Sequence, residues 1–221
     1  ALIALLATIL VFHPYSGPKA DGNLTVEFLD VGQGDAVFIT FPDGRTMLVD
    51  GGGRVNFTRV GEEGSAAFVP DMSTIGEAVV SEFLWERGYS TVDMLVVSHA
   101  DADHEQGIVD IARNFDVSMI YLGTAHGEGD HTRERCQDVA GVGVEVIYPP
   151  FGVAADGFSR NDRSLVLRLT YGSRSFLLTG DVEKNGEDAM VSDNKLLVAD
   201  VVKVPHHGSR TSSTDSFVEA V

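Results

Sequence analysis

The stretch Ser98-His99-Ala100-Asp101-Ala102-Asp103-His104 follows an apolar run, Val92-Asp93-Met94-Leu95-Val96-Val97, and precedes a segment with helical periodicity. Four potential metal ligands fall within six residues, too closely spaced for one regular helix or strand to aim them at a common point. The spacing predicts a loop at the end of a buried strand, able to turn His99, Asp101, Asp103 and His104 around one or two divalent ions. A solvated polar turn is the plain alternative, because aspartate is common in turns. Two later clusters weigh against it. Residues 165–171 alternate in polarity, turn through Gly172-Ser173 and return as 175–179, a hairpin ending in Gly180-Asp181. The apolar run 199–204, expected as a buried strand, delivers Pro205-His206-His207-Gly208-Ser209. Neighbouring side chains on extended backbone point to opposite sides, so one of these two histidines is expected to bind metal and the other to face substrate.

Working outward toward the N-terminus, residues 24–31 and 35–41 read as two strands around the turn Gly32-Gln33-Gly34. Pro42-Asp43-Gly44 is a second turn and 45–50 a third strand, giving an antiparallel meander. The meander ends in Asp50-Gly51-Gly52-Gly53, an acid followed by a loop without side chains. The next twenty or so residues are expected to form a long loop near the site mouth. Thr74-x-x-Glu77 has capping-box spacing, and Ile75, Ala78, Val79 and Phe83 recur at helical intervals, predicting a helix over 75–87. A second helix is expected over 105–115, further strands at 117–122 and 144–148, and a short helix over 183–190. His126 and His131 lie in a glycine- and charge-rich loop without ligand spacing and are assigned to solvent.

The 221 residues, 43% of them hydrophobic, suffice for one full core and one main domain. A formal net charge of -17 excludes a broad basic nucleic-acid face, so any polyanion must be held locally. Bound divalent cations would reverse the field inside an acidic pocket. Arg160, Arg163, Lys203 and Arg210 lie near the motifs in sequence and could add local positive charge, with solvated surface as the plain alternative. Cys136 is the only cysteine, which rules out a disulfide within the chain and a cysteine-based zinc site. Residues 1–12 carry no charge, yet a bilayer-crossing helix needs about 20 apolar residues. We read them as part of a transmembrane helix, with a cleaved signal core as the alternative, and 13–23 as a linker in which Tyr15 stands at an interfacial position. Residues 24–221 then form the folded domain.

His99-x-Asp101-x-Asp103-His104 resembles the His-x-His-x-Asp-His signature of the metallo-β-lactamase superfamily, with Asp for the second His. Together with Phe28-Leu29-Asp30-Val31-Gly32-Gln33-Gly34-Asp35-Ala36, Leu178-Thr179-Gly180-Asp181 and Pro205-His206-His207-Gly208-Ser209, the chain resembles the C-terminal domain of the ComEC family, the membrane channels of bacterial DNA uptake. The resemblance implies an α/β fold, the αββα sandwich, incomplete at its C-terminus in this chain. It implies two ions, Zn²⁺ or Mn²⁺, with His99 and Asp101 on one, Asp103, His104 and His207 on the other, and Asp181 bridging. It places Asp50 beneath the site as the acceptor that orients a ligand histidine, and Asn161 where many members carry a further histidine. It gives His207 the ligand role and His206 a phosphate-facing role. The activity implied is two-metal phosphodiester cleavage of the DNA strand not imported, in a membrane-anchored competence machine at the outer face of the cytoplasmic membrane. A structural or gating module with little catalysis, and a secreted hydrolase of lactones or phosphorylcholine esters, are the alternatives.

Overall fold

The computed structural model describes residues 2–12, 17–53, 74–123, 136–150, 157–193 and 196–221. Short apolar runs, covered on both faces at the centre of the fold, build two five-stranded sheets that stack face to face. The first runs β1 (Thr25–Phe28), β2 (Val37–Thr40), β3 (Thr46–Val49), β4 (Thr91–Val97), β5 (Asp116–Leu122) in that spatial order. β1, β2 and β3 form the expected antiparallel meander, and β4 and β5 join it in parallel. The second sheet holds β6 (Cys136–Val139), β7 (Val142–Tyr148), β8 (Val166–Tyr171) and β9 (Arg174–Leu178), all antiparallel, with β10 (Val201–Val202) parallel to β9. Both sheets are therefore mixed.

Three cores divide the side chains by strand parity. Phe38, Leu48 and Leu95 face the helices outside the first sheet, while Ile39, Met47 and Val96 face Leu167, Leu169 and Leu178 between the sheets. On the far face of the second sheet, Val166 and Leu177 pack with Met190 and Phe217 of the outer helices. The order helix, sheet, sheet, helix is the αββα sandwich.

Several elements depart from the sequence reading. The helix expected over 75–87 is a π-helix, Gly76–Ser81, followed by α2 (Glu82–Glu86); α1 is Leu2–Phe12. Gly76 lies so close to the Gly107 backbone that a side chain there would collide, and the widened turn accompanies that approach. α3 (Ala102–Asn114) starts three residues before the expected helix, since the extended Asp101 accepts from the His104 and Glu105 amides. The ligand-bearing stretch is thus only partly a loop. α4 is Lys184–Ser192, and α5 (Asp215–Ala220) and β6 were not anticipated. The run 199–204 is no buried strand. Only Val201 and Val202 pair, with β9 alone, and Val201 and Val204 stay exposed. None of the described helices is long and apolar enough to cross a membrane. Residues 13–16, with Tyr15, the expected loop after Gly53, and His126 and His131 lie outside the described residues.

Candidate metal centre

β3 leads into Asp50, which is 1% exposed and sits on left-handed backbone, φ 59°. Three donors hold it there. Ser98 N–H and Ser98 O–H each donate at 2.7 Å, and His104 Nδ1 at 2.9 Å. Since the Ser98 proton goes to Asp50, Ser98 Oγ is left to accept from His99 Nδ1 at 3.0 Å. One buried carboxylate therefore fixes two imidazoles, one directly and one through a hydroxyl. The glycine turns make room for this. A side chain at Gly34 or Gly53 would run into the Asp103 or Ala102 carbonyl, so both turns form the seat on which the start of α3 rests.

With Nδ1 occupied, each ring turns Nε2 the other way. His104 Nε2 lies 3.1 Å from Asp181 Oδ2. His99 Nε2 is buried with no hydrogen-bond partner among the described residues and faces Asp101 Oδ2 at 3.7 Å; its ring centroid stands 4.2 Å from that of His104. Asp181 follows the left-handed Gly180 at the end of β9, its amide donating to Ser164 Oγ at 3.1 Å. The late doublet arrives on left-handed backbone at both residues, φ 45° for His206 and 50° for His207. Extended backbone would have separated the two rings. This backbone instead brings His207 Nε2 to 3.2 Å and His206 Nε2 to 3.9 Å from the same Asp181 oxygen. His206 Nδ1 is held by Glu183 at 3.2 Å.

Asp35, His104, Asp181 and His207 each offer a ligand atom within 4.8 Å of the others. His99 and Asp101 adjoin this group. Arg160 pairs with Asp101 at 3.0 Å, placing the 3-10 turn Asn161–Arg163 beside it. The Asn161 side-chain amide makes no hydrogen bond among the described residues, and Asp103, in the first turn of α3, makes no side-chain hydrogen bond or ion pair among them. Lys203 is tied to Asp35 and Asp181 and donates to the Gly180 carbonyl at 2.8 Å. Its three protons thus have protein acceptors, which removes it as a free phosphate ligand. Asp35 and Ser98 were not singled out as site residues in the sequence. Asp35 stands at the head of an apolar strand, and only its position after a glycine turn hints at a special role.

Electrostatics follow the geometry. Burial alone would lower the pKa of His104, but Asp50 and Asp181 outweigh it and raise it to about 10. The contacts of His207 with Asp181 and Asp35 raise it to about 9. Burial would raise Asp181, yet His104, His207 and Lys203 hold it well below the carboxylate range. His99 is lowered, by burial first and by His104 second. A buried imidazole nitrogen without a partner, two further nitrogens aimed at one carboxylate, and a mixed imidazole–carboxylate donor set all fit a divalent transition metal.

The comparisons agree with this architecture. The metallo-beta-lactamase superfamily profile matches residues 29–221, and the chain belongs to that superfamily. It is similar to "ComE operon protein 3" of Bacillus subtilis, with 30% identity over 95% of this chain and 29% of that protein. "Competence protein ComA" of Neisseria gonorrhoeae is 29% identical over 99% of this chain and 28% of its own length. "Recombination protein 2" of Haemophilus influenzae is 30% identical over 100% and 25%. The chain spans less than a third of each of these relatives.

Proposed function

We propose that this chain is a metal-dependent phosphodiesterase domain of a DNA-uptake protein, cutting the DNA strand that is not imported. The observation that carries the reading is the wiring of His99 and His104: each Nδ1 is committed to an acceptor, Ser98 Oγ or Asp50, so Nε2 of His99 is turned toward Asp101 and Nε2 of His104 toward Asp181. His99 and Asp101 would hold one ion, Asp103, His104 and His207 a second, and Asp181 both. Carboxylates make up half of this set, which suits Mn²⁺ nearly as well as Zn²⁺. Such ions supply Lewis-acid charge to a phosphoryl group and make water acidic enough to attack near neutral pH.

The chain's own residues would do the rest. Asp50 fixes the direction of His104, and Lys203 holds one oxygen of Asp181 while the other faces the imidazoles. His206, braced by Glu183 and partly exposed, is placed to donate to a nonbridging oxygen. The net charge of -17 confines a polyanion to the cation-loaded centre. The three competence and recombination relatives support the DNA context, and we place the domain within a membrane-anchored assembly at the outer face.

The test is metal analysis of the purified chain, then digestion of single- and double-stranded DNA with Mn²⁺ or Zn²⁺. Cleavage that disappears in Asp181→Asn and His104→Ala, with circular dichroism unchanged, supports the reading. Metal uptake without cleavage of either DNA favours a structural or gating module, a reading to which an amide at Asn161 and a fully engaged Lys203 lend weight.

A further inference from the structure

We propose that Asp35 is a positioning residue of the metal centre: charge-paired with Lys203, it turns His207 so that Nε2 faces Asp181, as Asp50 does for His104. This inference rests on the metal-centre reading above. Asp35 follows Gly34 and leads into β2, its side chain only 15% exposed. Its Oδ1 lies 3.4 Å from His207 Nδ1 and its Oδ2 4.0 Å from His104 Nδ1. Both rings show Asp35 their Nδ1 and Asp181 their Nε2. Asp35 therefore stands behind the two rings as seen from Asp181 Oδ2, the place of an orienting acceptor rather than of a ligand. Its Oδ2 is also covered by the Lys203 ammonium, which any ion bound there would have to displace.

His207 needs such a partner more than His104 does. His104 is fully buried in the first turn of a 13-residue helix. His207 sits on left-handed backbone in a short 3-10 turn, its side chain 36% exposed, where neither a helix nor a strand limits the ring. A neutral imidazole left free there would sample both tautomers and both ring orientations, and metal binding would have to overcome that freedom. Asp35 is itself well fixed. The collision that bars a side chain at Gly34 pins the turn against α3, and Lys203 ties Asp35 to Asp181 and Gly180 across the two sheets. The same glycine that seats the ligand loop thus sets Asp35 as the acceptor for a histidine far along the chain, His207.

The experiment measures Zn²⁺ affinity of the intact chain by calorimetric titration and reads the His207 tautomer from ¹⁵N spectra of the zinc-loaded protein. Asp35→Ala is expected to weaken affinity by about 10–100-fold and to lose the single Nδ1-protonated form of His207. Asp35→Asn keeps an acceptor of nearly the same shape; it is expected to lose about tenfold and retain the tautomer, and it serves if the alanine variant does not fold. Wild-type affinity in either folded variant, or an unchanged His207 tautomer in Asp35→Ala, overturns the proposal and leaves the metal centre standing. A wild-type chain that takes up no divalent ion overturns the metal-centre reading itself.

Discussion

Asp50 shows how much of the centre depends on a residue that touches no substrate. Its carboxylate accepts three hydrogen bonds while 1% exposed, so the cost of removing it is the cost of stranding its donors. Asp50→Ala leaves the Ser98 amide, the Ser98 hydroxyl and His104 Nδ1 without their acceptor in a buried site. Each stranded donor costs about 1–3 kcal/mol, partly relieved by water entering, so we expect about 3 kcal/mol lost from the metal-free chain in urea unfolding. The same variant frees both His99 and His104 to change tautomer, so zinc affinity should fall by about 100-fold in calorimetry, more than for Asp35→Ala. Ser98→Ala separates the two effects. It removes only the relay to His99, leaves His104 on Asp50, and should cost about tenfold in zinc affinity with about 1 kcal/mol in stability.

At the scale of elements, the centre exists because α3 lies unusually close to the end of β3. The Gly51 amide donates to the His104 carbonyl at 2.9 Å and the Gly107 amide to the Gly52 carbonyl at 3.0 Å, tying helix to loop by their backbones. A side chain at Gly107 would run into the Gly51 carbonyl. Gly107→Ala must therefore push the helix away and carry His104 off Asp50 and Asp181. We expect about 2 kcal/mol or more of destabilisation in thermal unfolding and loss of stoichiometric metal binding, although residue 107 is no ligand. The strands and hairpin that frame this contact were legible in the sequence, because β2, β3, β8 and β9 are short, largely apolar and buried runs that glycine-bearing turns separate. The start of α3 was not, since Asp101 caps a helix inside what reads as a polar loop. Nor was the convergence of His206 and His207. Left-handed backbone at two consecutive non-glycine residues is rare enough that extended geometry is the natural expectation, and that expectation sends the rings apart. Asp35 escaped notice because the direction of a side chain after a glycine turn is settled by tertiary contact, here Lys203, and not by local pattern.

For the whole molecule, the centre couples stability to pH, a coupling that bound metal should abolish on the alkaline side. In the metal-free fold His104 is raised to about 10 and His207 to about 9, both above their ordinary 6.5. The folded chain thus holds these protons more tightly than the unfolded one. Their contribution is complete below about pH 6.5 and is lost as pH climbs through 9 and 10. Asp181, held well below its ordinary 3.8, contributes above about pH 4 and loses that contribution as pH falls. His99 is lowered from 6.5, so it costs stability only on the acid side and is neutral in both states above that value. Among the described residues the loss between about pH 6.5 and 10 therefore belongs to His104 and His207, since Tyr148, raised to about 12 by its burial, enters only above that range. A divalent ion takes the place of the Nε2 protons, after which neither imidazole has a proton to lose in that range. The melting temperature of the chelated chain should fall steadily between about pH 6.5 and 9, while that of the zinc-loaded chain stays level across the same interval. His207→Gln should flatten part of the chelated limb and His104→Gln more of it, in proportion to their shifts. Parallel curves for chelated and loaded protein would mean that these imidazoles do not exchange a proton for the ion.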